Sequence, residues 1–541
     1  MIGVSTMKSF YLSLILFLMT CPLHAGKKEQ TTSVASSVQS TTRILEINRI
    51  GMWVNDRGYL YNKVWTGGAI WPDTGLNASS KSIVYDQGPW IIGKVSGVPS
   101  AAMALWESSY APGPIVQGKP ALWVRPQDSS IYHPYRINGS SSDSDLVTWP
   151  SDLGAPVDAQ GRPLLLGDEL IWSVFNGADT SAFPENYRVT KTQFPRLPVE
   201  VRQSVYAQRA NGASDTSLLA NTVFLEWKFI NKGNAPIESC YVGFWSDIDF
   251  DLPSNNVPGI DTTLQLGYCW APDSGRTTKA VGYQLLYGPV SPDPESSALF
   301  CGKSLAGYRN MGLTSFRGIL TDFGHDFLSA PNTIDECWNL ARGFDQAGGV
   351  MIDSVSKLPT RFPYSGDPVT RTGWVYSQKN RKGSAGVLMF AGPFNLAAGD
   401  SQWMMLALIP ANAGDRLASI SLMRDHAKRL RGLTYNTIAQ PRALGVALDV
   451  QAVPLTMTLR QNYPNPFNPS TTIRYQTAAN GPVTLKVFDL LGREITTLVD
   501  EFKAPGEHAV TWNAGRAASG VYIYRLQSGP FVEAKKLLLL R

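Results

Sequence analysis

Three aspartates occupy alternate positions in one short apolar segment of the chain. The segment reads Asp247-Ile248-Asp249-Phe250-Asp251. Positions i, i+2 and i+4 of a β-strand share one face, so a strand here would place the three carboxylates on one side and the apolar residues on the other. Carboxylates held close together repel one another unless a proton or a cation neutralises them. The pattern therefore predicts a cation site.

Further oxygen donors follow the acidic segment, including Asn255 and Asn256. Carboxylate and amide oxygens are the ligands that Ca²⁺ prefers. We predict a calcium site formed by Asp247, Asp249, Asp251 and Asp261. It is not an EF-hand, because Leu252 and Pro258 stand where that loop needs glycine and glutamate. Two other interpretations stay open, namely an acidic strand end or loop closed by Asx turns, and a catalytic carboxylate cluster.

The remaining reactive side chains form no catalytic motif. None of the histidines His133, His325, His426 and His508 stands in an H-E-x-x-H motif, and no G-x-S-x-G nucleophile elbow occurs. Gly324-His325-Asp326 places an acid beside a base, but a histidine in an ordinary loop is the simpler interpretation. A glycosidase would need two carboxylates about 5–10 Å apart across a cleft. A hydrolase is therefore an alternative only if its acids lie outside any motif that we recognise.

Composition indicates which fold must position these residues. The chain has 541 residues with 48 glycines, 36 prolines, 11% aromatic residues and only 17% charged residues. Few charges, many aromatic residues and frequent turn formers are typical of a β-rich extracellular protein. The formal net charge is +5, and no run of basic residues interleaves with aromatic ones. We therefore expect no nucleic-acid partner.

The first 25 residues read as a secretory signal peptide. Lys8 precedes the apolar run Phe10–Met19, and Ala25 supplies a small residue for cleavage. The run is shorter than the roughly 20 residues that a transmembrane helix needs, so we expect no transmembrane span. Lipidation at Cys21 is the weaker alternative, since the preceding Thr20 is bulkier than usual at such sites. Residues 26–42 are rich in Ser, Thr, Gln and Lys and predict a flexible arm.

Four cysteines remain after the signal peptide: Cys240, Cys269, Cys301 and Cys337. An even number in an exported protein predicts two disulfides, for which three pairings exist. None is spaced as C-x-x-C, so a zinc or redox motif is not indicated.

Residues 43–436 predict a large, mainly β body resembling an antiparallel β-sandwich. Short apolar runs alternate with Gly, Pro and Asn, and Asn231-Lys232-Gly233-Asn234 predicts a hairpin between the strands on either side. One amphipathic helix is predicted over Asp415–Arg431, with Asp415 as its cap. Residues 437–457 read as a linker. The stretches Tyr241–Asp247 and Gly392-Pro393-Phe394 resemble an uncharacterised family of secreted β-rich proteins, which implies no activity.

Residues 458–541 predict a small separate β-domain. Near its start the domain reads Tyr463-Pro464-Asn465-Pro466-Phe467-Asn468-Pro469, where the prolines exclude a helix. Six strands are expected: Thr472–Tyr475, Val483–Asp489, Glu494–Val499, Ala509–Asn513, Val521–Leu526 and Ala534–Leu540. With Pro505-Gly506, Trp512 and Ser519–Tyr522, these landmarks resemble the type A C-terminal sorting domain of type IX secretion cargo. That resemblance implies an immunoglobulin-like sandwich that the secretion machinery recognises and that is cut off afterwards.

Taken together, these features predict a protein secreted or held at the outer cell surface after passing through the periplasm. We expect the body to be a non-catalytic binding, adhesive or structural β-domain stabilised by calcium, with an extracellular ligand that the sequence does not identify. The alternative is a secreted hydrolase acting on polysaccharide or peptide.

Overall fold

The structure is a computed structural model. It describes residues 41–61, 67–72, 82–105, 107–124, 126–139, 144–179, 195–212, 214–249, 256–272, 277–320, 331, 333–376, 385–444, 457–477, 481–503, 506–515, 517–529 and 531–540. The predicted signal peptide, and the predicted arm as far as residue 40, lie outside these residues. Among the described helices, none is long and apolar enough to cross a membrane.

The body is mainly β, as predicted. Its strands are β1 (Thr42–Leu45), β2 (Gly51–Asn55), β3 (Ala69–Ile70), β4 (Ser82–Val84), β5 (Asp86–Val95), β6 (Val98–Leu105), β7 (Glu107–Ser108), β8 (Ala111–Pro112), β9 (Ile115–Val116), β10 (Lys119–Pro120), β11 (Tyr135–Ile137), β12 (Leu164–Leu165), β13 (Glu169–Asn176), β14 (Val199–Ala207), β15 (Val223–Asn231), β16 (Ile237–Asp247), β17 (Val257–Asp261), β18 (Leu266–Trp270), β19 (Ala280–Tyr287), β20 (Val290–Phe300), β21 (Lys303–Asn310), β22 (Ser315–Leu320), β23 (Ala385–Leu396), β24 (Ser401–Ala411) and β25 (Arg442–Ala443). Its helices are α1 (Ala121–Val124), α2 (Ser144–Val147), α3 (Ile334–Ala341), α4 (Arg416–Arg431) and α5 (Tyr435–Ala439).

Two antiparallel sheets form the centre of the body. The major sheet has nine strands in the order β11-β13-β14-β15-β24-β19-β18-β17, with β8 beside β13. The second sheet has six strands in the order β22-β23-β16-β5-β6-β7. Val223, Leu225, Trp227 and Phe229 of β15 share one core with Phe244 of β16. The sheets therefore pack face to face around a common apolar core, which confirms the predicted sandwich-like body.

Helices cover the outer faces of both sheets. Ile420, Met423 and Leu430 of α4 pack with Phe224 on the far side of the major sheet. The helix begins where it was predicted, since the carboxylate of Asp415 accepts bonds from the backbone N–H groups of residues 417 and 418. On the far side of the second sheet, α3 packs against tryptophan side chains of β5 and β16. The body is thus a four-layer α/β/β/α arrangement, and α3 was not predicted.

The predicted hairpin around Asn231-Lys232-Gly233-Asn234 is wrong. β15 pairs with β14 and β24 of the major sheet, whereas β16 pairs with β5 and β23 of the second sheet. The connection crosses the sandwich from one sheet to the other. Asn231 anchors it, because its side-chain amide donates to the carbonyl oxygens of Ala235 and Leu396. Turn-forming residues fixed the reversal of the chain but could not indicate which sheet the next strand joins.

The prediction of two disulfides is also wrong, since Cys240, Cys269, Cys301 and Cys337 are all free. Cys240 and Cys269 are buried in the core between the sheets. Cys337 lies in the separate core beneath α3, and Cys301 is exposed between β20 and β21. The buried three fill core positions as small apolar residues. Cys269 also uses its thiol to donate a bond to the carbonyl oxygen of Ala385, at 3.1 Å.

The body extends beyond its predicted end at residue 436. Ile438 and Ala439 of α5 are buried, as is Leu444, and β25 pairs with β12 of the body. Residues 437–444 therefore belong to the packed body. The rest of the predicted linker, residues 445–456, lies outside the described residues.

The C-terminal domain is a seven-stranded sandwich. Its strands are β26 (Thr458–Leu459), β27 (Ser470–Thr477), β28 (Gly481–Phe488), β29 (Glu494–Lys503), β30 (Gly506–Asn513), β31 (Gly520–Ser528) and β32 (Phe531–Leu539). They form two sheets, β26-β27-β30 and β29-β28-β31-β32. All six predicted strands are present, and Val483, Leu485 and Val487 point into the core as expected. Phe467 of the proline-rich segment is buried and exchanges backbone hydrogen bonds with residues 538 and 540 beside the last strand.

Candidate functional site

Two of the four predicted calcium ligands lie at the end of β16. Asp247 is the buried last residue of β16, and Asp249 follows beyond the strand end. Burial raises the pKa of the Cys269 thiol, and the charges of Asp247 and Asp249 raise it further. Asp251 lies outside the described residues. Because the strand ends at Asp247, the predicted alternation of carboxylates along one strand face does not extend to Asp249.

Asn256 and Asp261 have other partners. The side-chain oxygen of Asn256 accepts from the backbone N–H of Ala385 at 2.6 Å, and its amide nitrogen donates to the carbonyl oxygens of Ile248 and Ala385. Asp261 stands at the far end of β17, about 13 Å along the strand from Val257, and forms an ion pair with Arg424 at 3.4 Å. The structure therefore does not bring Asp261 to Asp247. Among the residues described, no three Asp, Glu, His or Cys side chains form a group suited to a metal ion.

Glu226 is a buried carboxyl group with a raised pKa, which the sequence did not indicate. It lies on β15, on the face of the major sheet covered by α4 and α5, and is 6% exposed. Its two oxygens accept hydrogen bonds from the hydroxyl of Tyr206 at 2.7 Å and from the indole N–H of Trp403 at 3.2 Å. The hydroxyl of Tyr435 lies beside the same group. Desolvation raises the pKa of Glu226 to about 7, although these polar contacts oppose the rise.

A cavity of about 380 Å³ opens at the start of α4. Its walls include Trp270 at the end of β18, Arg416 on the first turn of α4, and Arg371, Trp374 and Ser354 from the irregular segment after α3. We call this cavity the arginine–tryptophan pocket. Its volume falls within the range of about 300–1,000 Å³ that is usual for small-molecule sites.

Local contacts fix the walls of this pocket. Asp367 accepts bonds from the backbone N–H of Val369 and the hydroxyl of Thr370, which closes the turn that carries Arg371. The same carboxylate forms an ion pair with Arg424 of α4 at 2.7 Å, and this pair ties the turn to the helix. Trp374 packs edge-on against the ring of Tyr364, with 5.0 Å between centroids. The pocket is therefore held from both sides by packed side chains.

The pocket carries positive charge. The guanidinium of Arg416 lies over the ring of Trp270, 5.5 Å from its centroid. Neither Arg371 nor Arg416 forms an ion pair with a carboxylate within the described part of the chain, and no described acidic residue lines the cavity. The neighbouring Asp415 uses its carboxylate to cap α4. Two guanidinium groups therefore face one cavity beside flat apolar indole surfaces.

Sequence reasoning missed both Glu226 and the arginine–tryptophan pocket. Their residues come from distant parts of the chain, and only strand register and loop packing bring them together. One signal was present, because Glu226 interrupts the apolar segment Val223–Phe229. A carboxylate in a strand buried on both faces must find donors on neighbouring elements. Trp53, Trp71 and Trp90 are buried in the core and offer no exposed surface on which a sugar could stack.

Comparison with known proteins identifies the C-terminal domain. Residues 461–539 match the family described as secretion system C-terminal sorting domain. The chain therefore carries the sorting domain of type IX secretion cargo, which indicates export to the cell surface or outside. No curated protein sequence matches the chain.

Among solved structures, the chain is similar to a polysaccharide lyase at 9% identity, covering 63% of this chain and 34% of the lyase, with a TM-score of 0.17. It is similar to dimeric latent PorU of Porphyromonas gingivalis at 9% identity, covering 63% and 31% of the two chains, with a TM-score of 0.14. PorZ, a surface component of the type IX secretion system of that organism, gives 11% identity, 93% and 58% coverage and a TM-score of 0.15. The chain spans about a third of the length of the first two. Similarities this weak carry no argument about activity.

Glu226 predicts a measurable pH dependence of stability. Its pKa in the folded protein, about 7, exceeds its ordinary value of 4.5. Above pH 4.5 the unfolded chain therefore loses this proton while the folded protein keeps it. The free energy of unfolding should fall by roughly 3 kcal/mol between pH 4.5 and pH 7 because of this group. Urea titrations across this range should show that the free energy of unfolding depends less on pH in Glu226→Gln than in wild type. The control Glu238→Gln, at an exposed position of β16, should show the wild-type pH dependence. Equal slopes in wild type and Glu226→Gln would contradict the assignment.

Proposed function

We propose that the chain is an exported binding protein whose body holds acidic sugar residues in the arginine–tryptophan pocket. The observation that carries this proposal is the pair of guanidinium groups, Arg371 and Arg416, facing one cavity beside Trp270 and Trp374. The sorting domain supplies the route out of the cell. The body supplies the binding function.

Charge favours an anionic ligand. Arg371 and Arg416 form no ion pair in the described residues, and no described acidic side chain lines the cavity, so the lining of the pocket is positively charged. A guanidinium offers a planar fork of N–H donors that matches a carboxylate in a bidentate geometry. The carboxylate of an acidic sugar would complete this arrangement.

Shape favours a ring. Trp374 is partly exposed and Trp270 is almost buried, so the wall presents flat apolar surface beside the charges. Ser354 adds an exposed hydroxyl, which both donates and accepts hydrogen bonds. A sugar acid combines a ring of suitable size, hydroxyl groups and one negative charge.

Binding is better supported than hydrolysis. Glu226 has the raised pKa of a general acid, which is the one observation that favours the alternative of a secreted hydrolase. However, both of its oxygens accept hydrogen bonds from Tyr206 and Trp403. Glu226 also lines a cavity of about 260 Å³, and no second carboxylate lines that cavity among the residues described, although glycoside hydrolysis commonly uses two. We therefore assign Glu226 a structural role within the body and no catalytic one.

We also propose calcium at Asp247, Asp249 and Asp251, supported by the two acidic charges at the end of β16 that both act on Cys269. Asp261 is omitted because it pairs with Arg424. Recognition of the folded sorting domain by the secretion machinery, and its later removal, are also proposals, as is a signal peptide over residues 1–25.

We predict that the folded sorting domain directs export without any contribution from the body. Residues 455–541 joined to a periplasmic fluorescent protein should carry it to the cell surface in a host with type IX machinery. Leu485→Asp in the fusion should abolish export, because it places a charge in the core of the domain. Thr484→Asp changes the neighbouring, solvent-facing position of β28 and should preserve export. Surface labelling and cell fractionation measure both, and surface delivery of the Leu485→Asp fusion would show that a folded domain is not required.

The calcium proposal predicts a metal-dependent melting temperature. Ca²⁺ should raise the melting temperature by mass action, because it binds only the folded protein. Asp249→Ala should remove the rise. Asp261→Ala should keep it, because that carboxylate is committed to Arg424 at the other end of β17. Differential scanning calorimetry with and without chelator provides the measurement, and an equal rise in the Asp249→Ala variant would point to a different site or to none.

The binding proposal predicts selectivity for charge. Calorimetric titration of the full chain should detect glucuronate, with glucose binding at least tenfold more weakly. Arg371→Ala should weaken glucuronate binding by roughly ten- to hundredfold, as expected for a lost charged hydrogen bond. Arg429→Ala changes an exposed arginine elsewhere on α4 and should have little effect. Added salt should weaken binding, since the pocket is open to solvent. Equal affinity for both sugars, or unchanged binding by Arg371→Ala, would refute the proposal.

A further inference from the structure

A second pocket of about 260 Å³ opens on the same face of the major sheet. Arg202, Lys228 and Lys303 form its basic wall, and Trp403 and Glu226 lie at its floor. We call it the lysine pocket. Trp403 shares the core beneath α4 with Trp270 of the arginine–tryptophan pocket, so the helical layer borders both cavities.

The hairpin of β20 and β21 builds one side of the lysine pocket. Its turn consists of Cys301 and Gly302, both with positive φ, at 48° and 75°. Gly302 lies directly on Tyr435, because a side chain there would place its Cβ 2.6 Å from the tyrosine ring. This contact fixes the hairpin against α5 and holds Lys303, the next residue, at the pocket.

The lysine pocket also has excess positive charge. Lys228 and Lys303 form no ion pair with a carboxylate among the residues that the structure describes. Arg202 pairs with Glu200 at 2.9 Å. The carboxyl group of Glu226 is occupied by Tyr206 and Trp403 and does not reach out to the lysines as an ion-pair partner. The pocket is therefore suited to a second anionic group.

Strand register gives the separation of the two pockets. Trp270 of β18 lies opposite Ala280 of β19, which lies opposite Ala411 of β24. Trp403 lies eight residues before Ala411 on the same strand, a distance of roughly 26 Å along the sheet. The helix α4, with 16 residues and a length of about 24 Å, begins at the arginine–tryptophan pocket and is followed by α5, which borders the lysine pocket. One sugar residue cannot reach from one pocket to the other.

We infer that the two pockets bind two acidic residues, several residues apart, of a single polysaccharide chain. The inference rests on the proposed function and extends it from a sugar acid to a polymer. Both pockets offer cations that form no ion pair among the described residues, beside aromatic side chains, and the first borders α4 while the second borders α5. Each pocket alone binds weakly, because partly exposed charges are screened by salt. A chain long enough to occupy both converts the second binding step into an intramolecular one.

Oligogalacturonates of increasing length, from the monosaccharide to the dodecasaccharide, test this inference on the full chain. Affinity should change little until the oligomer spans the pockets, and should then rise by roughly a hundredfold. The double variant Lys228→Ala with Lys303→Ala should lose this rise and keep the affinity of the arginine–tryptophan pocket for the monosaccharide. Lys303→Arg keeps the charge and should keep the rise. Melting temperatures of all variants establish that they are folded.

The outcomes separate this inference from the proposed function. A smooth length dependence that is unaffected by the lysine variants, with monosaccharide binding intact, would overturn the inference alone. Absence of both monosaccharide and oligomer binding would overturn both. Polyglutamate binding with the same affinity and the same dependence on the lysines would show that the ligand is an acidic peptide and overturn the assignment to polysaccharide.

Discussion

Burial of the major sheet on both faces is the constraint on which the rest of the body depends. Nearly every residue of β13, β14, β15 and β24 is buried. Alternating side chains therefore supply two apolar cores, where a half-exposed antiparallel sheet would supply a core on one side and a solvated surface on the other. One core is closed by the second sheet and the other by α4 and α5. Glu226 is desolvated for this reason, since its side of β15 lies beneath the helical layer.

The same constraint explains where the pockets form. α4 covers the middle of the sheet, and at its two ends other parts of the chain must complete the cover. At its start, the segment after α3 is tied down by Asp367 and Arg424, and the arginine–tryptophan pocket remains between them. At its end, α5 and the β20–β21 hairpin meet over Tyr435, and the lysine pocket remains there. Both cavities are gaps where the helical cover of one core ends.

Features set by local sequence were predictable. The C-terminal strands could be placed because apolar Val483, Leu485 and Val487 alternate with polar residues, and α4 could be placed because Asp415 caps a regular apolar stripe. Features set by long-range pairing were not. The turn at Asn231 predicted a hairpin, but hydrogen bonding assigned its two strands to different sheets. Asp261 is near Asp247 in sequence, yet it lies at the far end of β17, where it forms an ion pair with Arg424. The candidate binding sites depend entirely on such register and packing.

The distribution of charge distinguishes the helical face of the major sheet from the rest of the body. A formal net charge of +5 over 541 residues is small, so the chain has little general attraction for polyanions. What distinguishes the helical face is local, because several cations there lack carboxylate partners within the described residues while Arg424 and Arg202 are paired. Paired arginines hold the framework of each pocket, and unpaired cations face the space left inside it. An exported protein meets its ligand in a salt-containing medium that screens single exposed charges. In the binding that we propose, two separated cationic pockets on one sheet would offset that screening by simultaneous contact, which a diffuse positive surface could not do with the same specificity.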